Sequence, residues 1–262
     1  MAKYQRTEGL CLRRLDYSDT SQVASFLTPG AGRQSFMAKG VWRAPKRGIR
    51  CAFELLGRYE LIYTERRYGS LLNLTGRSLL EGFLGLRQSL DRILCGYYAA
   101  ELSLDFTAED QPCAEFYELV LESLRRFETG QNLGLSVLLL EIGALKEYGS
   151  CPAFDACAEC DRKLALSGRL LFSPSSGGPL CQECGRRMYQ EPTAYAFPVD
   201  ARKLALLSEL ASQPPTRPER VRVEPEQIAE ASRILRLQMR YLLGKELRMW
   251  KHLPRPGRKR KT

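Results

Sequence analysis

Short alternating runs fill the first third of the chain and give way to three- and four-residue apolar spacing near residue 78. Gly9 to Asp16 is strand-like, Gln22 to Leu27 alternates in part, and Thr28-Pro29-Gly30-Ala31-Gly32 is a hairpin turn leading into Gln34 to Lys39. Cys51 to Arg58, Tyr59 to Glu65 and Leu71 to Thr75 add further strand material, with Tyr68-Gly69-Ser70 as a turn. Five or six short strands in about 75 residues predict a small barrel, and the OB-fold is a small barrel often used to hold single nucleic-acid strands.

From Ser78 the period becomes helical. Leu79, Leu80, Phe83, Leu86, Leu90, Ile93, Leu94 and Tyr97 share a face, and Ser78 with Glu81 fits a capping box, so a helix is expected to about Leu104. Glu115 to Glu128 carries Phe116, Leu119, Val120, Ser123, Leu124 and Phe127 on one side, with Gly130 placed to end it. Leu133 to Tyr148 is apolar nearly all round at its start, which suits the middle of a bundle. Asp200 to Ser212 reads as a short helix. Glu226 to about Lys251 reads as a long one, with Ile228, Ala231, Leu235, Met239 and Leu242 inward.

Between the helical stretches lies a pair of C-x-x-C knuckles, Cys157-Ala-Glu-Cys160 and Cys181-Gln-Glu-Cys184, separated by 20 residues. That spacing lets four thiolates converge on one zinc ion in a closed tetrahedral shell, which is structural because it keeps no open position for a substrate. Ser167-Gly168 can turn the chain, and Gly177-Gly178-Pro179 supplies the reversal that presents the second knuckle. A redox dithiol normally needs only one such motif, at a strand-to-helix turn. Cys151, followed by Pro152, is read as a packed thiol, and Cys11, Cys51, Cys95 and Cys113 as small buried hydrophobes. An odd total of nine cysteines, with no secretory signal visible, points to a reducing, cytoplasmic setting. No apolar run is long enough to span a bilayer.

The net charge of +10 is unevenly spread: residues 1–80 carry +8, 81–150 carry −7, 151–190 carry +1 and 191–262 carry +8. Basic ends around an acidic middle suit a polyanion, since neutralising phosphates releases counterions; a membrane surface fits less well. In the barrel, Arg13, Arg14, Lys39, Arg43, Lys46, Arg47 and Arg50 are interleaved with Tyr17, Phe36 and Trp42, which supplies phosphate contacts and stacking rings together. Residues 39–50 could equally be a solvated loop, with Trp42 in the core. Arg233, Arg236, Arg240, Arg248 and Lys251 form a basic stripe along the last helix. Of these, Arg233, Arg236, Arg240 and Arg248 are candidate additional contacts to DNA or a protein partner, although such a stripe is also what a solvated helix face looks like. The proline- and cation-rich segment 254–262 cannot pack and is expected to be disordered.

Enzyme classes fall away in turn. His252 is the only histidine and sits beside the basic tail, which leaves serine- or cysteine-nucleophile triads without a base. There is no phosphate-binding P-loop, no dinucleotide fingerprint, and no H-x-E motif of a zinc deaminase.

Several stretches are similar to one family. Leu15-Asp-Tyr-Ser-Asp-Thr20, Leu27-Thr-Pro-Gly-Ala-Gly32 and Met37-Ala-Lys-Gly40 resemble the opening strands of the bacterial recombination mediator family RecO, and Tyr97-Tyr-Ala-Ala-Glu-Leu102 its first long helix. Gly149-Ser-Cys-Pro152, the first knuckle, Phe172-Ser-Pro174, Gly177-Gly178 and the second knuckle resemble its zinc module. Departures are Asp19 where the family often has Glu, Cys151 beside the proline, and the basic tail. The resemblance implies an α+β chain: a five-stranded OB-fold barrel (1–78), an all-α domain in two parts (79–150 and 191–253) and an inserted four-cysteine zinc finger (151–190), with the tail (254–262) outside the family pattern. It also implies a non-enzymatic role in DNA repair by the RecF pathway. Such a protein binds single- and double-stranded DNA, anneals complementary strands and, with RecR, loads RecA onto strands coated by single-strand-binding protein. The acidic tail of that coating protein needs local cations, for which Arg125, Arg126 or the last helix are candidates. An RNA-binding or ribosome-associated module, and a structural adaptor, are the rival readings.

Overall fold

The alternation of the first third becomes five strands, β1 (Tyr4–Ser18), β2 (Ser21–Thr28), β3 (Gly32–Ala38), β4 (Arg58–Tyr68) and β5 (Leu71–Glu81). They close into a barrel of order β1-β2-β3-β5-β4, antiparallel throughout except where β3 runs parallel to β5. The computed structural model describes residues 3–39, 52–68, 71–188, 195–213 and 223–254. It divides into two compact units, Met1–Gln131 and Asn132–Thr262.

Inside the barrel, alternate residues meet. Phe26, Phe36, Phe53, Tyr59, Leu61 and Leu72 are buried together with Cys11, Ala24 and Ala38. The rings pack edge to face, Phe26 lying 5.0 Å from Phe53 and 5.7 Å from Phe36. Phe36 is therefore core, and the expectation that it stacks on bases is corrected: its place in the alternation of β3 turns it inward.

In the first unit, two boundaries differ from the sequence reading. Of the expected strand Cys51 to Arg58, residues 52–57 form an irregular turn, with Leu56 at φ 66, and Arg58 alone belongs to a strand, β4. Leu56 donates its N–H to Cys11 O (2.8 Å), and Cys11 donates to Gly57 O (2.9 Å), so the backbone of the turn meets β1 at its bulge. Ser78 does not cap a helix. It pairs with Glu60 across β4 and β5, which carries the barrel past residue 78 to Glu81, and Leu79 and Leu80 are exposed rather than turned into a bundle. A local capping pattern yields here to long-range strand pairing. Phe83, at φ 45, breaks the direction, a 3₁₀ turn follows at Leu84–Gln88, and α1 (Leu90–Phe106) begins only then.

α1 and α2 (Ala114–Thr129) complete the first unit. Gly130 ends α2 in the left-handed region at φ 72, donating its N–H to Phe127 O. The loop between the helices crosses the predicted hairpin. A Cβ on Gly32 would lie 2.4 Å from Ala108 O, so glycine is required there, and Arg33 donates its N–H to that carbonyl at 3.0 Å.

The second unit opens with α3 (Leu133–Glu147), buried on nearly every side as its composition predicts. Strands β6 (Arg169–Ser173), β7 (Gly178–Leu180) and β8 (Phe197–Asp200) form an antiparallel sheet of order β7-β6-β8, and α4 (Gln182–Met188) follows β7. The cysteine module is thus inserted between α3 and α5 (Ala201–Ser212), and its sheet takes in β8 beyond residue 190. Asp200 caps α5 by accepting the N–H of Arg202 at 2.9 Å. The last helix, α6 (Pro225–Leu243), starts on a reciprocal Glu224–Gln227 capping box and stops at Gly244 (φ 65). It therefore does not reach Lys251. A separate 3₁₀ turn covers Arg248–His252. Among the described residues no helix is long and apolar enough to cross a membrane.

Candidate metal centre and nucleic-acid interface

Each knuckle is shaped by its own backbone. Cys157 donates its N–H to Arg162 O (2.9 Å) and accepts at its carbonyl from Asp161 N–H (2.9 Å), with Asp161 held at φ 56. This loop presents Cys157 and Cys160. Cys181 follows the end of β7, and Cys184 lies in the first turn of α4. The four Sγ atoms all lie within 4.8 Å of one another, Cys160 and Cys181 at 3.9 Å. A tetrahedron built on metal–sulfur distances of about 2.3 Å has edges of about 3.8 Å, so the group has the dimensions of a four-thiolate shell.

Hydrogen-bond donors near the sulfurs favour thiolate charge. Cys181 donates its N–H to Cys157 Sγ at 3.3 Å, Cys184 donates to Cys181 Sγ at 3.5 Å, and the Arg187 guanidinium donates to Cys184 Sγ at 3.0 Å. Desolvation pushes the Cys157 thiol up, but amides of Cys181, Glu159 and Cys160 outweigh it and bring it down to about 7. Cys184 goes the other way. Arg187 pulls it down, yet desolvation and the three neighbouring thiols raise it to about 12. Four thiols crowded on one point cannot all ionise alone, and a soft dication removes that conflict. Arg162, 3.6 Å from Glu183, links the two knuckles across the site. Half-buried Cys151 stays outside the group, and Cys11, Cys95 and Cys113 are buried singly as expected; Cys51 lies outside the described residues.

On the barrel, Arg13, Arg14 and Lys39 are exposed, and Tyr17, three residues after Arg14, is 69% exposed. Arg14 also donates from its guanidinium to Phe53 O. Trp42, Arg43, Lys46, Arg47 and Arg50 lie outside the described residues.

The stripe on the last helix is less uniform than its spacing suggests. Arg236 reaches the fully buried Glu141 at 3.4 Å and sits over the Trp250 ring at 5.8 Å, while Arg240 pairs with Glu246 at 3.2 Å. Arg233 and Arg248 are exposed. Arg125 is bound by both oxygens of Glu81 at 2.9 and 3.0 Å, and Arg126 pairs with Glu122 at 3.2 Å. These two guanidinium groups are committed within the first unit, which makes them poor landing points for an acidic tail.

Residues 1–83 match the family described as recombination protein O N terminal, and residues 87–251 match recombination protein O C terminal. The chain belongs to the RecO family. It is 35% identical over 184 residues to the DNA repair protein RecO of Anaeromyxobacter sp. (strain Fw109-5), an overlap of 70% of this chain and 72% of that one. It is 29% identical to that of Syntrophus aciditrophicus (strain SB), over 95% and 94% of the two chains. It is 30% identical to that of Myxococcus xanthus (strain DK1622), over 92% and 93%.

Within this RecO chain, three side chains escape sequence reasoning. Gln22, 1% exposed, donates to Asp16 (3.0 Å) and accepts the Phe53 N–H (3.0 Å), bracing β1 and β2 against the segment that re-enters the barrel. Arg187 supports a thiolate. Its only signal is its place three residues after Cys184. Glu141 orients Arg236, and it stands out as the one charged residue from position 133 to 145.

Proposed function

We propose that this chain is a non-enzymatic mediator of recombinational DNA repair. It binds single- and double-stranded DNA and anneals complementary strands. With RecR it helps load RecA on strands coated by single-strand-binding protein. The observation that carries this reading is the closed barrel bearing exposed Arg13, Arg14, Lys39 and Tyr17 in a chain of the RecO family. Cations on the barrel neutralise the phosphates of two strands and lower the repulsion that slows pairing, and exposed rings hold bases apart until partners meet. No nucleotide is consumed. The metal is one structural zinc on Cys157, Cys160, Cys181 and Cys184, fixing the module between the helices. The acidic tail of the coating protein suits the second unit. There a cavity of about 530 Å³ has Val137, Ile228 and Leu253 as apolar walls and Arg236, Lys251 and Trp250 at its side.

The test is annealing of complementary strands precoated with single-strand-binding protein, in the absence of nucleotide, with structured RNA as competitor. Acceleration that RNA does not suppress is expected. Arg13→Glu with Lys39→Glu should weaken binding and reduce the logarithmic salt slope by about 0.7 per lost contact on single strands. No acceleration, or preferential capture by RNA, would sink the proposal.

A further inference from the structure

A cleft of about 470 Å³ in the second unit is bounded by β6, β8, α5 and α6. Arg169, Lys203, Arg233 and Phe197 line it together with Asp200 and Glu230. Both carboxylates are already neutralised. Asp200 takes the Arg202 guanidinium at 2.7 and 3.2 Å, and Glu230 is ion-paired with Lys203. Arg169 and Arg233 are exposed, and among the described residues neither guanidinium has an ion-pair or hydrogen-bond partner. This sets Arg233 apart from Arg236 and Arg240 on the same helix, which are held by Glu141 and Glu246.

Two unpaired guanidinium groups facing one concavity repel each other and focus a positive potential that an anion relieves. Their planar forks match phosphate oxygens in pairs. Phe197 adds a partly exposed ring to the wall, and half-exposed Tyr195, outside the lining, lies 6.0 Å from it. A second cleft of about 330 Å³ shares Arg233 and continues past Arg240 to Lys251 and Trp250. A free phosphate would occupy one cleft only, whereas a longer polyanion reaches from Arg169 past Arg233 to Lys251. A nucleotide strand uses both features.

We propose that this track is a second strand-binding site. Phosphates of single-stranded DNA lie against Arg169 and Arg233, and bases stack on Phe197 and Trp250. The inference rests on the DNA-handling function proposed above and adds to it a place for the other strand. One strand on the barrel and one on the second unit give annealing two separate holders.

The experiment uses the full chain and its Arg169→Glu/Arg233→Glu variant, whose changes are at exposed positions. Unchanged metal content and melting establish that the variant is folded. For a single-stranded oligonucleotide the variant's logarithmic salt slope should fall by about 1.4, for two lost phosphate contacts, and annealing should slow by about tenfold or more. Photo-crosslinking with iododeoxyuridine-substituted DNA should mark Tyr195, Phe197 or Trp250. If the unaltered protein binds and anneals DNA while the variant matches it, and crosslinks map only to the barrel, the second site is overturned and the barrel reading stands. If the unaltered protein binds no DNA, both fail. Displacement of a polyglutamate peptide, with no change in DNA slope, would reassign the track to an acidic protein partner.

Discussion

In the barrel Phe26 meets Phe53, Phe36 and Tyr59 edge-on, inside a cluster of nine buried residues contributed by every strand or the turn before β4. In the cysteine module three of the five residues in the buried cluster, Cys157, Cys181 and Cys184, are the proposed metal ligands themselves, joined by Leu164 and Leu180. The barrel spreads its cohesion over many apolar contacts, whereas the module concentrates it at one point. A three-residue strand such as β7 has too little apolar surface to order a loop on its own, and the proposed metal would replace the missing core.

The most severe way to break this contrast is to remove a ligand. Cys181→Ser should abolish stoichiometric zinc and unfold the module, because structural zinc carries about 10–16 kcal/mol of apparent binding free energy that is also folding free energy. Amide exchange should accelerate across β6, β7 and α4, with β1 to β5 still protected. Full metal occupancy with unaltered exchange would refute the four-thiolate assignment.

The reciprocal lesion is Phe26→Ala. A buried ring removed from a close-packed core costs about 3–5 kcal/mol, enough to move a urea transition well to lower concentration, yet the variant should still hold one zinc per chain. If metal content fell with barrel stability, the two regions would not be the independent structures that their separate cores imply.

How much of this was legible depends on the range of the interaction. The knuckles, Gly32, Gly130 and the all-round apolar start of α3 announce themselves within a few residues, and the structure follows them. Ser78 misleads for the same reason. Its capping pattern spans four residues, while the pairing of Ser78 with Glu60 that decides the matter spans 18. Phe36 lies among cations in sequence, but the two-residue period of β3 places it with Phe26 and Tyr63. Charge suffers most. The sequence shows that Arg125 and Arg236 are cations, but only the fold shows that Glu81 and Glu141, 44 and 95 positions away, have already claimed them. The same accounting leaves Arg169 and Arg233 without partners among the described residues, which spacing alone could not reveal.

The smallest effect concerns how the barrel responds to acid. Glu81, at the end of β5, holds Arg125 at 2.9 Å and approaches Arg58 at 3.6 Å, and Arg58 in turn holds Glu8 at 2.6 Å. Hydrogen bonding from Arg125 holds the Glu81 carboxyl below its ordinary value against partial burial, which acts the other way. A carboxyl whose pKa is lower folded than unfolded stabilises the native state above the unfolded value of about 4.3, and that contribution disappears as pH falls through the depressed folded value. Glu81→Gln should therefore cost about 1 kcal/mol or less at pH 7 and flatten the loss of first-unit stability between neutral pH and acid, read as urea midpoints along a pH series. An identical pH profile in wild type and variant would mean that the tie between β5 and α2 contributes nothing to first-unit stability.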